Sequence, residues 1–245
     1  HRVVVTRPSF ASRQVISKLR GLGADVIDSP LIRIEYVEAE LSGPRSDHDW
    51  IVFTSLHGVE GLVRQLERQG FDARFFGTAR IAAVGPKTAA CLERVGIRAD
   101  LIPGEYRARA LVEAIVVEAK SGERVLFPCG TLAVDEVSHG LTRVGLEVQT
   151  LHVYRTLLQP PNDAALDAFR RGVDAVLLYS PSAAKSLASS AVDLDGVQIF
   201  CVGPTTADAG RSAGLRISGV PDIYGDEGMI ESLLEMAGAL RGVDG

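Results

Sequence analysis

Short apolar runs recur along the chain, and most are followed by a stretch in which apolar positions return every three or four residues. That rhythm predicts strands alternating with amphipathic helices, and hence parallel sheets with helices on both faces. Arg2–Thr6 is β-branched and predicts a strand. A helical stretch follows to Leu22, where Gly21 and Gly23 end it, and Asp25–Asp28 starts a second strand. Leu31–Val37 alternates as an extended run, and Glu38–Asp49 is a polar connection. Trp50–Phe53 predicts a buried strand, and the helix from about Gly58 carries Val59, Leu62, Val63 and Leu66 on one face. A further helix is expected over Ala108–Ala119.

The pattern then repeats itself in detail. Ile81–Pro103 and Ile199–Pro221 align without a gap, with Ile81, Val84, Gly85, Pro86, Thr88, Ala89, Gly96, Arg98 and Pro103 recurring as Ile199, Val202, Gly203, Pro204, Thr206, Ala207, Gly214, Arg216 and Pro221. Each copy reads as strand, Gly-Pro-x-Thr turn, helix and second strand. Elsewhere Arg124–Gly130 echoes Arg2–Pro8, Leu141–Tyr154 echoes Leu19–Ile32, and Ala175–Ser180 echoes Trp50–Ser55. The chain reads as a diverged tandem duplication of about 120 residues per copy. Two contiguous domains split near Gly122 are one arrangement. In the other, Leu31–Val37 and His152–Leu158 pair as a two-stranded bridge and the chain crosses between domains.

Composition narrows the class. With 245 residues, 46% of them hydrophobic, the chain can bury a substantial core and fits two compact domains better than one. A net charge of −5 gives no basic footprint for nucleic acid or an anionic membrane. No apolar run is long enough to span a bilayer, and no signal peptide is visible. The chain opens at His1 without a Met, as a trimmed start or a piece of a longer protein would. Cys91, Cys129 and Cys201 are few, odd in number and without metal spacing, which points to a reducing, cytoplasmic setting. Gly21-x-Gly23 closes a helix and is no dinucleotide fingerprint, so no cofactor is expected. His48, His139 and His152 lack metal spacing, and Trp50, Cys91 and Cys201 read as core.

Candidate chemistry lies where strands end. Pro in the first turn of a helix loses no hydrogen bond, and a helix opened this way offers free N–H groups and the positive end of its dipole to an anion. The alternative for Gly-Pro-x-Thr is a strand-to-helix turn with no ligand. The strand-end loops are Thr6-Arg7-Pro8, Ser55-Leu56-His57, Gly85-Pro86-Lys87-Thr88, Cys129-Gly130-Thr131, Ser180-Pro181-Ser182 and Gly203-Pro204-Thr205-Thr206. Arg7, Lys87 and His57 are their strongly cationic candidates. Any single Ser or Thr there reads first as a helix cap. Cys129, in a Pro-Cys-Gly turn after a strand, reads as a small residue fitting a turn, with a reactive thiol as the alternative.

Several of these segments, in this order and spacing, resemble the uroporphyrinogen-III synthase family: Val5-Thr6-Arg7-Pro8, Phe53-Thr54-Ser55 with Gly58-Val59, Val84–Ala89, Leu126–Gly130, Val153-Tyr154-Arg155-Thr156, Ser180–Ala183 and Val202–Ala207. The resemblance covers nearly the whole chain. It implies two flavodoxin-like (Rossmann-like) α/β domains with parallel sheets, joined by a two-stranded linker. Domain one would be residues 1–34 plus 158–245, domain two 37–152, and the linker strands 31–37 and 152–158. The implied reaction cyclises hydroxymethylbilane, a linear tetrapyrrole, with loss of water and inversion of the last ring through a spiro intermediate. That task is mostly folding one floppy molecule, which needs no nucleophile–His–carboxylate set and no cofactor. Tyr154 would donate to the leaving hydroxyl; a linker Tyr packed on a domain edge is the structural alternative. Thr6, Arg7, Ser55, His57, Gly85, Lys87, Thr88, Cys129, Gly130, Ser180, Ser182, Gly203, Thr205 and Thr206 would receive the substrate's carboxylates from six loops facing one cleft. The implied partner is that small molecule, with no nucleic acid or membrane, in a monomer fused to, or fed by, another tetrapyrrole enzyme. His57 departs from the family's usual Asn or Arg, and Pro221–Asp226 replaces its Pro-Thr before the last helix. The reading from another class is a non-catalytic ligand-sensing domain cut from a regulator.

Overall fold

In the computed structural model, which describes residues 1–7, 9–131 and 135–241, the apolar runs become short strands and the periodic stretches helices. In chain order these are β1 (Arg2–Val5), α1 (Ser9–Gly21), β2 (Asp25–Asp28), β3 (Ile32–Tyr36), β4 (Trp50–Phe53), α2 (Leu56–Arg68), a 3₁₀ turn (Ala73–Phe76), β5 (Arg80–Ala83), α3 (Pro86–Glu93) and α4 (Ala108–Glu118). They continue as β6 (Arg124–Gly130), α5 (Asp135–Arg143), β7 (Glu147–Leu158), α6 (Asp163–Arg171), β8 (Ala175–Leu178), α7 (Pro181–Ala188), β9 (Gln198–Cys201), α8 (Pro204–Ser212) and α9 (Asp226–Arg241). Two compact units result, His1–Arg33 with Leu157–Gly245, and Ile34–Thr156.

The first unit holds a sheet of order β2-β1-β8-β9, parallel throughout. Successive side chains of a strand point to opposite faces, so each strand feeds two cores. Val4, Val176, Leu178 and Ile199 pack against Phe169 of α6, Leu187 of α7 and Ala207 of α8. Val3, Val5, Leu177 and Phe200 pack against Val15 and Leu19 of α1 and Met229 and Leu233 of α9. Burying each such side chain fully stabilises the fold by about 1.5–3 kcal/mol.

The second unit is built the same way. Its sheet runs β3-β7-β6-β4-β5, and the pairs from β7 to β5 are parallel. Ile51 and Phe53 face α2 and α3, while Trp50 and Val52 face α4 and α5. Parallel bridges from Ala82 to Leu101, and in the first unit from Phe200 to Gly219, extend each sheet by one position. The orders β2-β1-β8-β9-Gly219 and β7-β6-β4-β5-Leu101 therefore put segments that echo each other in sequence at matching positions. Beside β7, β3 runs the other way: Val37 N–H donates to the Val153 carbonyl (3.1 Å), and Gln159 N–H to that of Leu31 (2.9 Å).

Local differences from the sequence reading have physical causes. The second apolar run of each repeat forms only a bridge, because Pro103, Gly219 and Pro221 cut it short. Pro128-Cys129-Gly130 is not a turn: β6 continues through it, with a register shift between Cys129 and Gly130. Pro128 is tolerated in this central strand because β4 pairs with β6 only at Val125 and Leu126, so no ladder bond from its nitrogen is missed on that side. Helix α2 starts at Leu56, before Gly58, because Ser55 caps it, and His57 is thus helical. Pro8 lies outside the described residues.

Candidate functional site

Tyr154 sits in β7 opposite Gly130 of β6. A methyl group on Gly130 would stand 2.6 Å from the ring's Cε2 and 2.7 Å from Cζ, so the missing side chain is what makes room for the phenol. The ring is buried, 8% exposed, and its Oη lies 3.1 Å from Ser55 Oγ. That same Oγ accepts the Gly58 N–H at 3.1 Å as the cap of α2. Burial pushes the Tyr154 phenol above its ordinary range and the Ser55 hydrogen bond opposes the shift, so the group is protonated at neutral pH.

His57 packs on this ring, with centroids 5.6 Å apart and planes at 58°. Its Nδ1 is 3.2 Å from Tyr36 Oη and 3.4 Å from Glu60 Oε2, and the Tyr36 hydroxyl donates to Glu60. With that single phenolic proton committed to Glu60, the network assigns the imidazole proton to Nδ1. Burial holds His57 below its ordinary value of 6.5 although Glu60 pulls the other way. It is therefore a neutral hydrogen-bonding group and not the cation expected from its type. The guanidinium of Arg64 covers the Tyr36 ring at 4.4 Å. At the carboxyl end of β5, Gly85 precedes Pro86 at the first turn of α3 with no side-chain cap. The Thr88 and Ala89 N–H groups bond the Gly85 carbonyl at 3.1 and 3.0 Å. Lys87 is exposed, and the Tyr106 ring, 66% exposed, lies over Gly85.

In the first unit Arg7 follows β1 and its Nη1 donates to Asp226 Oδ1 at 2.7 Å, each side chain being 22% exposed. The guanidinium sits 4.7 Å from the centroid of Tyr179, the residue after β8. Tyr179 Oη is buried beside Asp226 and makes no hydrogen bond of good geometry among the described residues. Burial and then the charge of Asp226 push this phenol up, against Arg7. Ser180 caps α7 by accepting the Ala183 N–H at 3.1 Å. Gly203 precedes Pro204 at the start of α8, Thr206 N–H bonds its carbonyl at 3.1 Å, and Thr205 is exposed. Tyr224, 65% exposed, matches Tyr106: each follows its turn glycine at the same interval along the chain. A cavity of about 720 Å³ in this unit lies among Asp174, Gln198, Phe200 and Glu235, by the amino ends of β8 and β9. Open α/β sheets take ligands at the other end.

The family described as uroporphyrinogen-III synthase HemD matches residues 13–231. The chain belongs to the uroporphyrinogen-III synthase family. Porphyrin biosynthesis protein HemD of Ruminiclostridium josui is 27% identical over 247 residues, covering 97% of this chain and 49% of that protein, so the chain spans about half of that relative's length. Uroporphyrinogen-III synthase of Synechococcus elongatus is 29% identical over 222 residues, covering 84% of this chain and 83% of the other. Among solved structures, the synthetase from Helicobacter pylori has a TM-score of 0.70 at 17% identity, over 96% of this chain and 99% of that one. A mutant synthase from Thermus thermophilus has a TM-score of 0.62 at 19%, over 96% and 97%. At such identities the structures speak for the fold, a mixed α/β architecture with parallel sheets.

The synthase-family residues named from sequence separate into three groups. Ser55, His57, Gly130 and Tyr154 come together; Gly85, Lys87 and Thr88 form their own turn in the same unit. Arg7, Ser180, Ser182, Gly203 and Thr205 stand at the carboxyl ends of β1, β8 and β9. Four side chains need correction as receptors, because they point into packed structure. Thr6 is wholly buried and donates to the Leu177 carbonyl at 2.7 Å; Thr88 and Thr206 are 4% exposed; Cys129 is 1% exposed, its thiol pushed up to about 11 by burial and 3.8 Å from His152 Nδ1. Tyr36, Glu60, Tyr106, Tyr179, Tyr224 and Asp226 were not singled out from sequence. Only the Tyr106–Tyr224 pair had a signal there, since Gly85 to Gly203 and Tyr106 to Tyr224 are the same step of 118 residues.

Proposed function

We propose that the protein is a uroporphyrinogen-III synthase, which closes hydroxymethylbilane to the type III macrocycle with loss of water and inversion of the last ring. The observation that carries this reading is the Tyr154–Ser55 pair, a buried, protonated phenol held in hydrogen-bond contact at 3.1 Å. Tyr154 gives its proton to the departing hydroxyl, which leaves as water. Ser55 then turns its own proton toward the phenolate oxygen and stabilises it. His57, neutral and locked by Tyr36 and Glu60, keeps the ring in place. One such general-acid contact contributes about 100- to 10,000-fold in rate.

The remaining work is positioning. The Gly85 and Gly203 turns offer backbone N–H groups at helix starts for substrate carboxylates, with Lys87 exposed beside the first. We also infer that the units descend from a duplication, as residues 1–34 with 158–245 and residues 37–152, with 31–37 and 152–158 as linker strands. The matching strand positions support it. A cytoplasmic monomer taking one linear tetrapyrrole completes the reading. Generating hydroxymethylbilane in place and identifying the isomer formed is the test. Type III product above a protein-free blank supports the synthase; type I alone refutes it and moves the ligand-sensing domain forward.

A further inference from the structure

The first unit contains a cluster that the proposed reaction does not use. Arg7, Tyr179 and Asp226 meet at the carboxyl ends of β1 and β8 and the start of α9. A buried hydroxyl without a partner destabilises a fold, and native proteins retain few of them. Tyr179 Oη is such a group, lying under a guanidinium that is itself held by an internal carboxylate.

The repeat makes the cluster more telling. The positions that echo Arg7, Tyr179 and Asp226 in the other unit are Cys129, Thr54 and Ala108. None of them carries a charge or a phenol. The same scaffold thus closes without the cluster, and all three departures fall on residues that touch one another.

Building on the synthase reading, we propose that Arg7 and Tyr179 form a receptor for one carboxylate of the tetrapyrrole, and that Asp226 occupies it until the ligand arrives. On binding, Arg7 exchanges the Asp226 carboxylate for the ligand's, and Tyr179 Oη donates to that same group. Asp226 remains stabilised at the start of α9, where the helix dipole favours an acid. The exchange forms and breaks hydrogen bonds only. Tyr179 and Arg7 are positioning residues, and Asp226 is a competitor that sets affinity.

The test uses two variants, each with a readout that a purely structural role would not move. Tyr179→Phe removes the orphan hydroxyl. Relief of an unpaired buried group alone would raise Tm and leave KM unchanged. The receptor predicts an unchanged or higher Tm together with a KM raised roughly 10-fold, the scale of a hydrogen bond to a charged group. Asp226→Asn removes the competing charge while keeping an oxygen for Arg7. The receptor predicts a KM lowered several-fold; a mere staple predicts no change or a rise. Both variants are also titrated with uroporphyrin III, an octacarboxylic porphyrin, by its fluorescence. If the wild type makes type III product but the variants match it in KM and in porphyrin binding, the receptor is refuted and the synthase reading stands. If the wild type makes none, yet porphyrin affinity falls in Tyr179→Phe and rises in Asp226→Asn, the receptor stands and the synthase reading falls.

Discussion

Replacing Gly130 by Ala should disable the site through one methyl group. The new Cβ would sit 2.6 Å from Tyr154 Cε2, against the 3.4 Å at which ordinary contact begins, a deficit of about 0.8 Å. Gly130 is not in the left-handed region, so its backbone accepts Ala without strain. The ring must therefore give way. On one side it has the packed imidazole of His57, and its Oη depends on Ser55 at 3.1 Å. Overpacking of this kind costs about 1–3 kcal/mol of stability. A misplacement approaching ~1 Å in a catalytic group can cost about 100-fold in rate. The expected result is a folded protein with kcat for type III formation down roughly 100-fold, approaching that of Tyr154→Phe, with type III still the main product. Circular dichroism and thermal melting check the fold, and the coupled assay with isomer analysis gives the rate. Because the methyl acts through Tyr154, the double variant Gly130→Ala/Tyr154→Phe should lose little beyond Tyr154→Phe alone, a coupling that a double-mutant cycle measures. A folded Gly130→Ala protein with wild-type kcat would refute both the tight seat of Tyr154 and its part in the reaction.

Gly203→Val should fold normally, since a Cβ there meets only Tyr224 Cγ at 3.9 Å, yet it should abolish most turnover by filling the mouth of the α8 turn. Normal turnover in the folded variant would reduce this turn to a helix start. Thr6→Val should lower stability by about 1–3 kcal/mol through the lost bond to the Leu177 carbonyl while leaving KM unchanged, read by urea unfolding and the coupled assay. A raised KM at unchanged stability would restore Thr6 as a receptor. His57 has a folded-state value below its ordinary 6.5, so the unfolded chain takes up the proton first. Stability should therefore fall as pH drops through 6.5 and stay level above it, with the slope reduced in His57→Gln. Equal Tm profiles for wild type and variant between about pH 8 and 5 would contradict this.

The elements and their order were legible because helix and strand periods are local properties of the sequence. The same holds for the caps: Ser55 and Ser180 each precede a helical run, and each accepts the N–H three residues on. What stayed hidden depends on partners far along the chain. The extension of β6 through Pro128 turns on where β4 stops pairing with it. The hydroxyl of Thr6 finds a carbonyl 171 residues away, and Arg7 finds Asp226 219 residues away. A sequence shows an Arg as a free cation, whereas the fold decides whether an internal acid already holds it.

The neutral state of His57 follows the same logic and bears on the chemistry. The imidazole is enclosed by Tyr36 from β3 and Tyr154 from β7, strands that are adjacent only because the sheet brings them side by side. In the proposed reaction, a cation beside Tyr154 would favour the phenolate and draw its proton off before the substrate needs it. Burial removes that cation, and the Tyr36 hydroxyl donates its hydrogen bond to Glu60. Of the two phenols against His57, Tyr154 is the one left with a movable hydrogen bond, facing a serine that is held by its own helix cap. In the other unit the comparable phenol, Tyr179, lies under a guanidinium and beside an aspartate. There burial and the aspartate, against the guanidinium, keep the phenol protonated as a hydrogen-bond donor. On the proposed reading the two tyrosines, one within β7 and one just after β8, are thus set for different tasks by their neighbours: proton donation for Tyr154 and carboxylate capture for Tyr179.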